Sequence, residues 1–291
     1  MRIEKWLKKN TSSLVGKRVA VTGSTGGLGG EICRYLARLG ADLILVDRNR
    51  ERSQAHREAI LSAYPACEVL CVSADMENME SVRAATEALA RLQPDVLILN
   101  AGAYSIPRRV CDTGYGNVFQ INFVSPYYMV RKLLPMLSQR QGRVVAVGSI
   151  AHNYSKTDPD DVDFSDRQAA SKVYGNAKRY LMFSLFELFR EERDASLSVV
   201  HPGITFTNIT AHYPRLVFAI IKHPMKVIFM KPRRAALSVV RGLFESTEYH
   251  TWIGPRLLDV WGIPSKKRLR TVSERESREI LARAEEIYRS L

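Results

Sequence analysis

The stretch that decides the fold is VAVTGSTGGLGG, at residues 19–30. A short apolar run passes directly into a glycine-rich turn, and a helical pattern follows. Glycines at such a turn let the backbone approach a pyrophosphate, and the amides at the start of the helix stabilise its charge. We therefore expect a dinucleotide site built from Thr22, Gly23, Ser24, Thr25, Gly27, Leu28 and Gly29.

Further apolar runs of the same kind alternate with helical patterns along the chain. Together with the first they are KRVAVTG (17–23), DLILVDR (42–48), CEVLCVSAD (67–75), DVLILNAG (95–102), GRVVAVGSIA (142–151) and LSVVHPG (197–203). Near-continuous apolar runs are typical of parallel strands buried on both faces. The alternation predicts an α/β fold: a Rossmann-type doubly wound parallel sheet in three α/β/α layers, with ligands at the carboxyl ends of the strands.

This pattern predicts a single domain over residues 16–291, preceded by a basic amphipathic extension at 1–15. An apolar and basic segment at about 205–232 interrupts the alternation and is interpreted as a substrate flap. It would cover an apolar pocket, lie on a membrane surface, or bury its apolar face on the core or in an oligomer. The mixed charge of the tail, about 265–291, predicts an exposed helix without a site.

The composition narrows the function classes. With 291 residues, 46% of them hydrophobic and 25% charged, the chain is typical of a globular protein. It shows neither a secretory signal nor about 18 consecutive uncharged apolar residues, so we expect a cytoplasmic protein, with peripheral membrane contact an open alternative. The net charge of +13 is scattered, without a nucleic-acid-binding motif, and the four cysteines lack partners for a zinc site. We expect neither nucleic acid nor metal.

Asp47 ends the second strand, where a carboxylate can accept hydrogen bonds from the adenosine ribose. Because a carboxylate repels a 2′-phosphate, and because the glycine turn holds no Lys or Arg, the sequence favours NAD as cofactor. Arg48 keeps NADP open, since a guanidinium can pair with that phosphate. The structural alternative is that Asp47 only ends its strand.

Tyr174 and Lys178 lie four residues apart in VYGNAKRY, residues 173–180, so they share one helix face. Taken alone, this spacing usually means two solvated side chains. Gly175 between them is a poor helix former, costing about 1 kcal/mol relative to Ala. We predict that a side chain there would crowd the cofactor or a neighbouring helix.

The motifs together resemble the short-chain dehydrogenase/reductase family over roughly residues 16–210. Those that carry the resemblance are TGSTGGLG, NAG at 100–102, Asn122 in QINFVSP, Ser149 in VVAVGSIA, Tyr174 with Lys178, and HPGITFTN from 201. SIAH, the acidic DPDDVDF, the apolar flap and RLLDVWGIP are similar to the retinol-dehydrogenase-like branch. That branch commonly has Ser before the lysine, where this chain has Ala177, and its reductive members prefer NADP.

The resemblance implies an oxidoreductase that interconverts an alcohol and a carbonyl by hydride transfer. Tyr174 would exchange the proton, and the Lys178 ammonium would lower its pKa from about 10 and hold the nicotinamide ribose. Ser149 would hydrogen-bond the substrate oxygen, and Asn122 would hold a water that links Lys178 to solvent.

Further contacts are implied around the cofactor and the substrate. The remaining cofactor residues would be Asp75 and Met76 near the adenine, and Asn100, Ala101, Gly102, Pro202, Gly203, Thr205 and Thr207 near the nicotinamide. Tyr104, Ile150 and His152 would contact the substrate, although His152 has a structural alternative. We expect a hydrophobic, steroid-, retinoid- or lipid-like alcohol or ketone, and a homodimer or homotetramer. The rival function is a non-catalytic dinucleotide sensor or membrane-associated scaffold.

Overall fold

A computed structural model describes residues 3–167, 169–204 and 230–291. Its strands are β1 (Arg18–Thr22), β2 (Asp42–Asp47), β3 (Val69–Ser73), β4 (Val96–Leu99), β5 (Arg143–Val147), β6 (Ser196–Val200), β7 (Thr251–Leu257) and β8 (Trp261–Arg268). They form one sheet in the order β3-β2-β1-β4-β5-β6-β7-β8, parallel except for the pairing of β7 with β8. The predicted doubly wound sheet is confirmed.

Helices cover both faces of this sheet. They are α1 (Ile3–Asn10), α2 (Gly27–Arg38), α3 (Arg50–Ala63), α4 (Met79–Leu92), α5 (Asn117–Phe119), α6 (Ser125–Gln139), α7 (Ala170–Leu188), α8 (Pro232–Phe244) and α9 (Glu274–Arg289). A π-helical turn, Gln120–Val124, joins α5 to α6, and a 3-10 turn, Ile150–Tyr154, follows β5. Ser149 caps that 3-10 turn, which we call the serine turn.

Two apolar cores separate the three layers. One face of the sheet packs with α4, α6, α7 and α9, through residues such as Leu89, Leu133 and Phe183. The opposite face packs with α1, α2, α3 and α8, through residues such as Ile32 and Val240. In the part of the chain that the structure describes, no helix is long and apolar enough to cross a membrane.

The strand order reverses between β1 and β4, and Thr22 joins their carboxyl ends. Its hydroxyl donates to the Ile98 carbonyl oxygen at 3.2 Å and accepts from the amides of Asn100 at 3.0 Å and Ala101 at 2.9 Å. Crevices at such reversals are where doubly wound sheets bind ligands. The fold therefore brings the glycine turn and the NAG segment together.

The ends of the chain differ from the sequence predictions. Residues 265–268 lie in β8 rather than in a helix, because they pair with β7. The helix α9 begins only at Glu274 and is not simply exposed, since Ile280 and Ile287 are buried in the core. At the other end, α1 buries Trp6 and Leu7 in the core facing α2. The flap, apart from 230–232, lies outside the described residues.

Candidate active site

The glycine turn lies too close to its neighbours for side chains at two positions. A Cβ on Gly23, whose φ is +66°, would lie 2.9 Å from the Ala101 Cα. A Cβ on Gly29 would lie 2.9 Å from the Ser24 Cα. The Asn100 amide holds the turn in place by donating to the Gly23 carbonyl oxygen at 3.0 Å. These contacts leave a bare backbone concavity at the start of α2, which fits a pyrophosphate.

One cavity borders this turn, and a second opens beyond the end of β2. One, of about 420 Å³, is lined by Thr25, Gly26 and Gly27 together with Arg52 and His56 of α3. The other, of about 520 Å³, is lined by Arg48, Asp75, Glu77, Arg109 and others at the ends of β2 and β3. The structure thus places the predicted Asp75 on a cavity wall.

Met76 and Leu28, both predicted to contact the cofactor, also pack within the protein. Met76 is buried, and its carbonyl oxygen accepts a hydrogen bond from Ser125 at 2.7 Å. Leu28 is half-buried and packs against the core. Their predicted contacts with the cofactor remain predictions.

The Asp47 carboxylate is hydrogen-bonded within the protein, and its predicted contact with the adenosine ribose remains a prediction. The carboxylate accepts hydrogen bonds from the Ser24 hydroxyl at 2.5 Å, the Thr25 amide and hydroxyl at 3.0 and 3.1 Å, and the Ser53 hydroxyl at 3.1 Å. Only 4% of Asp47 is exposed. Asp47 therefore braces the glycine turn from within. Arg48 carries the exposed charge, and its guanidinium lies 3.5 Å from the Glu77 carboxylate.

Tyr174 and Ser149 meet across the end of β5. Tyr174 lies on the first turns of α7, and its phenol faces the Ser149 side chain. Burial raises the pKa of Tyr174 to about 12, and the interaction with Ser149 opposes that rise. The direction is opposite to the predicted lowering by Lys178, because burial penalises the charged phenolate. The phenol is therefore protonated near neutral pH.

Lys178 lies one helical turn beyond Tyr174 and is 2% exposed. Its ammonium donates to the Val147 carbonyl oxygen at 3.0 Å and lies 5.6 Å from the centre of the Tyr174 ring. Burial lowers the pKa of Lys178 to about 8. The two side chains are thus held together at the end of β5, and the surface alternative is wrong for Lys178.

Asn122 lies in the π-helical turn, a local geometry often found at functional sites. Its amide nitrogen donates to the carbonyl oxygens of Val118 and Ala103, each at 2.8 Å. Its Oδ1 atom is buried and has no hydrogen-bond partner. A Cβ on Gly102 would lie 2.8 Å from this oxygen and 3.7 Å from the Lys178 Nζ. The unsatisfied acceptor next to Lys178 fits the predicted water or a cofactor hydroxyl.

The three predicted substrate residues divide into two groups. Tyr104 is half-buried and meets the Tyr174 ring edge to face at 5.3 Å, and Ile150 is half-buried beside the serine. His152 is fully buried, with its Nδ1 atom 2.7 Å from the Ser149 carbonyl oxygen and its ring against Trp252 at 5.3 Å. Burial lowers the pKa of His152 to about 4. His152 therefore lies below the substrate surface, as in its structural alternative.

Gly203 and Pro202 follow β6 and are buried. Gly203 has a φ of +82°, and a Cβ there would lie 2.9 Å from the Val260 carbonyl oxygen. The turn after β6 is thus shaped by the β7–β8 hairpin. Thr205 and Thr207, also predicted to bind the cofactor, lie outside the described residues.

Sequence reasoning missed two residues that support the site. Ser53 bonds to Asp47 from α3, and Arg179 is buried beside Lys178. Ser53 belongs to no motif, Arg179 only adjoins Lys178, and a serine or an arginine in a helix gives no signal of burial. No group of three or more His, Cys, Asp or Glu able to hold a metal occurs among the described residues.

Comparisons with known proteins agree with this geometry. The chain is 31% identical to human retinol dehydrogenase 14 over 215 residues, or 68% of this chain and 64% of that protein. It is 29% identical to short-chain dehydrogenase TIC 32 A of Brassica napus over 207 residues, or 66% of this chain and 65% of that protein. The chain thus spans less than two thirds of the length of these relatives.

Solved structures share the same fold. An uncharacterised protein from Mycobacterium paratuberculosis has a TM-score of 0.76 at 22% identity, covering 97% of this chain and 96% of that one. The RhlG/NADP complex of Pseudomonas aeruginosa has a TM-score of 0.60 at 25% identity, covering 81% and 91%. The sequence profile described as short chain dehydrogenase matches residues 17–214, which include the glycine turn, Asn122, Ser149, Tyr174 and Lys178. On this evidence the chain belongs to the short-chain dehydrogenase family.

Proposed function

We propose that this protein interconverts a carbonyl and an alcohol on a hydrophobic substrate, with Tyr174 as the acid and base. The observation that carries the proposal is the convergence of the Tyr174 phenol, the Ser149 side chain and the buried Lys178 ammonium, which lies 5.6 Å from the centre of the tyrosine ring, at the end of β5. The protonated phenol, which burial favours, is the form that donates a proton in carbonyl reduction, and alcohol oxidation uses the phenolate.

Each residue has a distinct part in that reaction. Tyr174 donates its proton to the carbonyl oxygen, and the Ser149 hydroxyl stabilises the charge that develops there. Lys178 lies beside the tyrosine and next to the unsatisfied Asn122 oxygen, so a water between them would return a proton to the site. The glycine turn and the NAG segment would hold the dinucleotide, which when bound supplies the hydride.

The surroundings of Asp47 support NADP rather than the NAD favoured from sequence. A buried carboxylate that already accepts four hydrogen bonds has little capacity left for ribose hydroxyls. Arg48, by contrast, is 65% exposed at its side chain and lines the larger cavity with Asp75. A guanidinium there can bind a phosphate through two parallel hydrogen bonds.

Replacing Arg48 tests this cofactor assignment. We expect Arg48→Ala to raise KM for NADP by about tenfold or more, the value of a charge-assisted hydrogen bond, while KM for NAD changes little. Arg275→Ala is the control, because Arg275 is exposed on α9 and the variant makes the same change in net charge. A parent that prefers NAD, or a variant that weakens both cofactors equally, would contradict the assignment.

Tyr104 and Ile150, which flank the catalytic pair, support an apolar substrate. Retinol dehydrogenase 14 is named for a retinoid alcohol. We therefore propose a retinoid-, steroid- or lipid-like carbonyl compound. The test is a panel of such aldehydes and ketones with NADPH, and the matching alcohols with NADP, followed by absorbance at the reduced nicotinamide band.

Tyr174→Phe tests the assignment of the proton donor. It removes only the hydroxyl, so we expect kcat to fall by about 10²–10⁴-fold while NADPH still binds. Tyr154→Phe is the matched control, because Tyr154 is at the end of the serine turn and is 61% exposed. Full activity in Tyr174→Phe would refute the assignment. NADPH binding without turnover by the parent would favour the sensor alternative.

Assembly is proposed on the family resemblance, and location on the sequence pattern described above. We propose a homodimer or homotetramer in the cytoplasm, testable by sedimentation velocity. The burial of Trp6 and Leu7 argues against a peripheral membrane contact through α1, because these apolar side chains pack in the core. Flotation with anionic liposomes tests whether the flap makes such a contact instead.

A further inference from the structure

An arginine is buried directly behind the catalytic residues. Arg179 follows Lys178 on α7, and only 4% of its side chain is exposed. Its Nη1 atom donates to the His152 carbonyl oxygen at 3.1 Å. His152 in turn contacts the Ser149 carbonyl oxygen through its ring at 2.7 Å. The guanidinium is therefore linked to the segment that carries the serine.

The counterion of Arg179 comes from the other end of the chain. Glu276, in the first turn of α9, pairs with the Nη2 atom of Arg179 and accepts a hydrogen bond from the Thr157 hydroxyl. The Glu276 amide is capped by the Ser273 hydroxyl at 3.1 Å, which holds the start of α9. One carboxylate thus joins α9, α7 and the segment after the serine turn.

The serine turn also contacts α7 directly. The Ser155 hydroxyl donates to the Lys172 carbonyl oxygen at 2.9 Å, and a Cβ on Gly175 would lie 3.0 Å from the Ala151 carbonyl carbon. These contacts hold the serine turn against α7 near its start, at Ala151, and just after its end, at Ser155. Arg179 is the residue that holds the middle, through the His152 carbonyl oxygen.

A buried ion pair is a poor source of stability, because desolvating two charges offsets most of their attraction. What such a pair supplies is a fixed geometry, since a planar guanidinium can bridge two acceptors at once. Here the two acceptors lie on different segments, and one of them belongs to the turn that carries Ser149. We propose that Arg179 and Glu276 are positioning residues, through which α9 holds Ser149 in register with Tyr174. The proposal rests on the proposed function.

Two conservative variants test the proposal. Glu276→Gln removes the charge and Arg179→Lys removes the fork that bridges the acceptors. We expect each to lower kcat by about tenfold, since misplacement of a reacting group by 1 Å can cost about 10²-fold, while KM for NADPH stays within twofold. KM for NADPH should be unchanged because the glycine turn, which would hold the cofactor, lies between β1 and α2 rather than on α7 or α9.

The matched control is Glu274→Gln. Glu274 lies in the same first turn of α9 and pairs with Arg190, just after α7, at 3.4 Å, but neither residue touches the serine turn. It removes an ion pair between the same two regions and the same favourable charge at the helix start. If Glu274→Gln lowers kcat as much as Glu276→Gln does, the effect is general loosening and the proposal is wrong.

Hydrogen exchange provides a readout that does not need turnover. We expect the amides of residues 150–155 to exchange faster in Glu276→Gln than in the parent, and at the parental rate in Glu274→Gln. Unchanged exchange and unchanged kcat in Glu276→Gln would overturn the proposal. If the parent turns over no substrate, the proposed function fails, and the exchange result still decides whether α9 positions the serine turn.

Discussion

Lys178 and Tyr174 lie one helical turn apart, and burial shifts both toward their neutral forms. The same effect acts on two histidines behind them, because burial lowers the pKa of His152 to about 4 and that of His201 to about 3. Neutral side chains at these places avoid the cost of isolated buried charges. Both histidines are therefore neutral near neutral pH, and both pack against the Trp252 ring.

The lowered pKa of Lys178 predicts a pH dependence of stability. Its pKa is about 8 in the folded protein against 10.5 as the ordinary value, so between these values the unfolded chain binds more protons. The free energy of unfolding should therefore rise with pH through this window, by on the order of 3 kcal/mol from this group. Below pH 8 both states are protonated, and the full cost of the buried charge remains.

Lys178→Met should abolish this rise. The variant has no buried ammonium, so its stability lacks this pH dependence. As the pH increases from 8 to 10, we expect the free energy of unfolding of the parent to rise relative to that of the variant. Urea unfolding at several pH values measures it, and other groups cancel in the difference. Since the pKa of Tyr174 is raised to about 12, that phenol adds its own change only above pH 10. A pH-independent difference would contradict the burial argument.

At the scale of elements, the site depends on the contact between α7 and the serine turn. The helical periodicity around VYGNAKRY predicts α7, and Gly175 predicts a close approach without identifying the neighbour. The neighbour is Ala151, whose backbone lies against the glycine. The π-helical turn that presents Asn122 was not predictable, because its extra residue per turn leaves no periodicity in so short a segment.

Gly175→Ala should disturb both stability and activity. Its added Cβ would lie 3.0 Å from the Ala151 carbonyl carbon, so either the helix or the serine turn has to move. We expect a loss of about 1–3 kcal/mol in the free energy of unfolding, and a lower kcat because Ser149 moves away from Tyr174. Gly30→Ala is the stability control. Gly30 also lies in a helix, α2, but a Cβ there would have only ordinary contacts, the nearest at 3.8 Å. A Gly175→Ala protein as stable as the Gly30→Ala protein would contradict the expected clash with Ala151.

At the scale of the whole molecule, the six apolar runs predict β1 to β6, but not the two strands that complete the sheet. The β7 and β8 segments contain prolines and several charges, and each is stabilised mainly by the other. Their pairing is a long-range property that alternation of strands and helices does not encode. The same limit applies to α9, whose charged sequence hides a buried stripe of Ser277, Ile280, Ala284 and Ile287.

Deleting residues 272–291 tests whether α9 belongs to the folded core. The deletion uncovers the surface that Ile280 and Ile287 cover, each worth about 1.5–3 kcal/mol when buried, and leaves Arg179 without its counterion. We expect the truncated chain to be recovered mostly as aggregate, or to unfold at a much lower urea concentration. The matched variants Ile280→Ala and Leu281→Ala separate burial from mere length, because Leu281 is only partly buried. An unchanged urea midpoint after truncation would show that α9 is dispensable.

The sequence alone determined the class of fold and predicted the residues of the candidate site. Buried parallel strands need continuous apolar runs, a pyrophosphate needs bare backbone, and the motif residues have spacings that survive in linear form. The tertiary structure decided which charges those residues carry and which partners they use. It buried Asp47 under four hydrogen bonds, left the neighbouring Arg48 side chain exposed, and joined Arg179 to Glu276 across 97 residues. Burial and long-range pairing arise only when distant segments pack together, so no local sequence pattern predicts them.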